Sequence, residues 1–206
     1  MKKFTPSFLM LSLLATTPVM AATTNTPQTT PQSQGYEKEM PAKQFLLEKS
    51  AKVALAKVHG AFPETKQFQI THVLAKQENG KQTFSVTLEP KKQKSKAQST
   101  RLFTVTLDGK TGDIEYIGTG QTFTLNQFPT NEKAKKIAVS YLEKLYGAES
   151  HNYEAKQFSK LEGLSGKRMA VMFQHKKDRQ TMIHVSVYNN GSVNAIQKQT
   201  VQIPIQ

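Results

Sequence analysis

The chain has 206 residues, no cysteine and a net charge of +13, from 28 Lys and Arg against 15 Asp and Glu. The length fits one large domain or two small ones, and without thiols there is no disulfide, thiolate nucleophile or thiolate metal site. The basic balance favours anionic neighbours such as wall polymer or anionic lipid.

Residues 1–21 read as an export signal. Lys2 and Lys3 precede the apolar run Phe8–Leu14, and Val19-Met20-Ala21 offers a small-residue cleavage site. That run is shorter than the about 20 apolar residues a bilayer requires. No later stretch is long and apolar enough to span a membrane, so the expected location is secreted, extracellular or wall-associated. Residues 22–40 are dominated by Thr, Pro and Gln and read as a disordered spacer, because they bury too little to offset ordering entropy.

Residues 41–118 read as a first helix-sheet unit. Leu47, Ala51, Ala54, Leu55 and Val58 recur at helical spacing, with Gly60 as the expected C-cap. A strand over Phe68–Leu74 follows, and Asn79-Gly80 predicts a tight hairpin. Phe84, Val86 and Leu88 alternate with polar neighbours, as do Phe103, Val105 and Leu107. The turn Asp108–Gly112 then leads into a short last strand.

Residues 119–129 read as a linker, residues 130–200 as a second unit in the same order, and residues 201–206 as a tail. Thr130 is the expected N-cap of a helix carrying Ala134, Ile137, Ala138, Tyr141, Leu142 and Leu145 on one face. Strands follow at Tyr153–Leu161, Met169–Phe173 and within Met182–Ile196, with a turn at Leu164–Lys167. Helix, hairpin and glycine turn thus occur twice, which is an internal repeat. The expected fold class is α+β. Two tandem units would each hold one helix on an antiparallel sheet of about four strands, and the two would pack together because each alone is marginal.

The segment Phe103–Ile114, FTVTLDGKTGDI, follows a helix rich in Ala, Val and Lys and a strand. It resembles the PepSY family, and the repeat resembles the YcdB/YcdC type of secreted and membrane-anchored proteins of Gram-positive bacteria. The second copy, Ile183–Val193, keeps the alternation but lacks the Asp-Gly and Thr-Gly pairs. The resemblance covers about residues 43–197. It implies a cystatin-like helix-on-sheet fold and roles in peptidase propeptides or in restraining peptidases. It carries no catalytic residues.

The side chains show no catalytic constellation. His59, His72, His151, His175 and His184 make no His-x-x-x-His or HExxH spacing. Ser165 follows Gly163-Leu164, but Lys167 stands where the last glycine of a nucleophile elbow belongs. In Asp108–Asp113, Lys110 occupies a ligand position of a calcium loop, so a β-turn is expected. No cofactor or metal is expected. Two lysine-rich loops stand out, each joining the second strand of a unit to the third. One carries Lys91, Lys92, Lys94 and Lys96; the other carries Lys176, Lys177 and Arg179. Solubility is one reason for such loops, and contact with an extended polyanion is another. With no interleaved aromatics, they are not built to read nucleic acid specifically. The expected function is a secreted, non-enzymatic binding protein that modulates or inhibits an extracellular peptidase or binds another secreted protein. The alternative is a basic envelope protein retained on anionic wall polymer or lipid.

Overall fold

Thr130 accepts a hydrogen bond from the Lys133 backbone N–H and opens helix α3, Asn131–Tyr146, which ends at Gly147 with φ 55°. Only glycine enters that left-handed region without strain. Two helices precede it in the chain, α1 (Ala42–Phe45) and α2 (Lys49–Ala61). Gly60 is not the cap of α2: the helix runs through it and closes at Phe62, whose N–H donates to Val58 O. The computed structural model describes residues 35–91, 102–120, 123, 125–164 and 166–201. Among these, no helix is long and apolar enough to cross a membrane.

Among the described residues there are nine strands: β1 (Tyr36–Glu39), β2 (Phe68–Glu78), β3 (Lys81–Pro90), β4 (Phe103–Asp108), β5 (Ile114–Gly118), β6 (Tyr153–Leu161), β7 (Arg168–His175), β8 (Thr181–Tyr188) and β9 (Val193–Thr200). Asn79 and Gly80 both take positive φ, as a two-residue hairpin turn requires. The nine strands form one antiparallel sheet in the order β1-β2-β3-β4-β5-β9-β8-β7-β6. Phe84, Val86, Phe103, Val105, Met169, Val171, Ile183 and Val185 point to the buried face, as their period of two dictates.

This corrects the expectation of two cystatin-like units, each with a helix on its own sheet of about four strands. The reason lies in β5 and β9, the last strands of the two repeats. Each would be an open edge alone. They pair instead with each other, Tyr116↔Gln197, Ile117↔Ile196 and Gly118↔Ala195, which satisfies both rows of backbone groups and merges the sheets. The register has two-fold symmetry about the Ile117–Ile196 pair, so the sequence repeat becomes symmetry within one sheet. The core is shared as well. Tyr141 of α3 lies 5.0 Å from Phe62 at the end of α2, and the Tyr146 hydroxyl donates to Ile114 O of β5 at 3.1 Å. Burial pushes the Tyr146 pKa well above its usual value.

Two boundaries also shift. The stretch expected as spacer contains β1, which pairs Tyr36↔Gln77 through Glu39↔Leu74 along β2. The stretch expected as linker begins as an extension of the ladder: Thr119 is buried, and its N–H donates to Asn194 O and its hydroxyl to Val193 O. Further on, the Phe123 ring packs edge-on to Tyr188.

Candidate functional site

The strand ends that carry the two lysine-rich loops lie apart. Pairing Leu88↔Phe103 puts the β3–β4 connection at the end of the sheet where β5 finishes at Gly118. Gly118 pairs with Ala195 near the start of β9, and Thr181 at the start of β8 pairs with Thr200 at the end of β9. The β7–β8 loop therefore lies at the opposite end. The two-fold relation keeps the loops equivalent and sends them to diagonal corners. Four interstrand steps of about 4.8 Å and a strand length of about 25 Å place them roughly 30 Å apart. That is several Debye lengths, about 8 Å each at physiological salt, so Lys91 at one corner is screened from Lys177 and Arg179 at the other.

The individual residues differ too. Lys91 is exposed just past β3, and Lys92, Lys94 and Lys96 lie outside the described residues. Lys176 is engaged: its ammonium donates to His151 O at 2.7 Å. Lys177 and Arg179 are exposed. Asp178 shapes their loop by accepting from the Gln180 N–H and the Thr181 hydroxyl. The Thr181 hydroxyl first, then the Gln180 amide, hold its carboxyl below the usual range.

The other motifs resolve as turns and structural contacts. The Asp108 carboxylate accepts from Lys110 N–H at 2.9 Å, Thr111 N–H at 2.8 Å and Thr111 Oγ1 at 3.1 Å. Burial opposes its ionisation, but these donors outweigh that and lower its pKa. It caps the turn. Ser165 lies outside the described residues. His59 Nδ1 meets Thr65 Oγ1 at 2.8 Å, while that hydroxyl donates to Phe62 O at 2.6 Å. The hydroxyl proton is thereby used, so Nδ1 carries the donated hydrogen. His72 faces Glu39 of β1 at 3.2 Å, and His184 meets Gln199. Among the described residues no group of three or more His, Cys, Asp or Glu could hold a metal.

The two outer edges of the sheet are the feature that sequence reading missed. β2 and β6 are equivalent strands, each bulged at a matching place, between Ile70 and His72 and between Ala155 and Gln157. The outer side of β2 is covered by β1. Among the described residues, no strand pairs with the outer side of β6. Such a row of free N–H and C=O groups is a template for another chain. Near the end of β6, Leu161 is partly exposed and Leu164 in the following turn is fully so. The ammonium groups of Lys160 and Lys167 each lie 5.5 Å from the Phe128 ring. A lysine inside an amphipathic strand was the available sequence signal for an edge. No signal marked β1, whose Tyr-Glu-Lys-Glu lacks apolar alternation.

Comparison with family models, with curated proteins and with solved structures finds no match to this chain. Nothing among them identifies a PepSY-like repeat.

Proposed function

We propose that the chain is an exported, non-enzymatic binding protein that holds an extended segment of another protein along β6, and that its partner is an extracellular peptidase or another secreted protein. The observation that carries the reading is the unequal treatment of equivalent edges: β2 is covered by the chain's own β1, and among the described residues β6 has no such cover. Strand addition supplies main-chain hydrogen bonds for affinity and alternate side chains for selectivity. Peptidase clefts also bind extended backbone, which fits the peptidase role that the PepSY resemblance implies. Export rests on the pattern of residues 1–21.

The test is titration of the purified protein against a panel of secreted bacterial peptidases, reading both activity and complex formation. Inhibition or a stable complex with one of them supports the reading. Full activity throughout, with no complex at large molar excess, removes the peptidase from it.

A second reading is retention on an anionic wall polymer, favoured by the exposed Lys177 and Arg179 at one corner and Lys91 at the other. The separation of the corners makes each a weak contact, so a long polymer that reaches both suits the geometry better than a compact anion. Binding to isolated walls should weaken with added salt.

A further inference from the structure

The chemistry of the segment that β6 accepts can be read from the equivalent edge, on the footing that β6 is a docking edge. On β2, the Met40 N–H donates to Val73 O at 2.9 Å, so Val73 turns its backbone groups outward. Alternate residues of a strand share that orientation. Val73 pairs with Val86 on β3, and Phe158 pairs with Val171 at the matching place on β7. The outward-facing residues of β6 are therefore Phe158 and Lys160, and the stretch matching the one that β1 covers is Ser159–Glu162.

Charge distinguishes the two edges. On β2, Lys76 and His72 already face acids of β1, Glu37 at 4.0 Å and Glu39 at 3.2 Å. At the end of β6, Lys167 has Glu162 at 3.6 Å, whereas among the described residues no carboxylate pairs with Lys160. The two ammonium groups share the Phe128 ring, which concentrates positive charge beside an open backbone row. Lys160 pairs with the buried-face Met169, so Leu161 projects to the other face of the sheet. A strand laid antiparallel on this stretch sets one residue opposite Lys160 and the next opposite Leu161, on opposite faces.

We propose that β6 receives an extended acidic segment of a partner protein, with a carboxylate opposite Lys160 and an adjacent apolar side chain opposite Leu161. On β2 the chain's own strand sets Lys38 opposite Ala75, the equivalent of Lys160, and Glu37 opposite Lys76, so β1 is the precedent for strand addition, and the charge of Lys160 is what calls for a carboxylate on β6.

The test uses the full chain and two blocked eight-residue peptides with a fluorescent label. One alternates Val with Glu, and the other replaces each Glu with Lys. The acidic peptide is expected to bind up to about fivefold more tightly than its lysine twin, the most that one favourable cross-strand pair provides. Lys160→Glu should reverse that preference, and as an exposed substitution it leaves the fold in place. Lys160→Pro removes an outward N–H and no ladder bond to β7, so it should abolish binding of both peptides. If neither peptide binds the native chain, or if Lys160→Pro binds unchanged, the docking edge itself is wrong and this inference falls with it. If Lys160→Pro abolishes binding but Lys160→Glu keeps the native preference, the edge stands and the acidic specificity is overturned.

Discussion

The two halves of the sheet share strand order, bulge position and buried pattern, yet they end differently. The first half closes its outer edge with β1, while among the described residues no strand covers β6. They differ also at the turn before the last strand. In the first half, a Cβ at Gly112 would lie 2.4 Å from Ser50 O in α2; in the second, a Cβ at the equivalent Gly191 would meet nothing within 4 Å. A repeat thus preserves what each strand must bury and leaves free what each loop and edge does. The first half has both its outer edge and its turn covered by its own chain.

The largest test of that comparison lies on the symmetry axis. Ile117 and Ile196 are both fully buried and pair with each other. Ile117→Ala and Ile196→Ala should each cost about 2–5 kcal/mol, and by equivalence the two costs should be similar. Urea unfolding should show one transition in both variants, since the core is shared. Two separated transitions would mean that the halves are independent after all.

Next come the turn glycines, with φ of 74° at Gly112 and 90° at Gly191. Gly191→Ala should cost about 1 kcal/mol, from left-handed strain alone. Gly112→Ala adds a collision with backbone and should cost at least about 2 kcal/mol. Equal shifts in thermal midpoint would show that α2 yields to the new methyl group.

A smaller effect is expected at the covered edge. Glu37→Gln with Glu39→Gln removes the exposed carboxylate contacts to Lys76 and His72, and should lower global stability by less than about 1 kcal/mol. Amide exchange along the outer side of β2 should nevertheless quicken toward that of β6. An unchanged exchange pattern would show that backbone pairing alone holds β1.

The smallest effect concerns pH. Burial first, then nearby Lys66, hold the His59 pKa below 6.5. As pH falls through 6.5, the unfolded chain takes up a proton before the native one does, so stability declines below that point. Comparing urea midpoints at about pH 7.5 and about pH 5.5 should show a drop that His59→Gln reduces. The second half has no such histidine at the end of its helix, where the equivalent residue is Tyr146. An identical drop in the variant would assign the pH response elsewhere.

Much of the fold was legible because burial imposes a period. Phe84, Val86 and Leu88, and again Ile183, Val185 and Val187, announce strands with one buried face whatever lies beside them. Asn79-Gly80 and the Thr130 cap act through local backbone geometry, and they too needed no neighbours. The candidate site was less legible. The lysines of the two loops stand out in the sequence, but the placement of Lys91 at one corner and of Lys177 and Arg179 at the other follows from the β5–β9 register. The pairing of Ile117 with Ile196 turned two expected domains into one sheet, and a strand's pattern does not name its neighbour. Backbone hydrogen bonding is the same for every residue type except proline, so side chains declare a face and leave the partner open. Tertiary structure alone decided that β5 finds β9, that a charged Tyr-Glu-Lys-Glu covers β2, and that among the described residues β6 has no strand on its outer side.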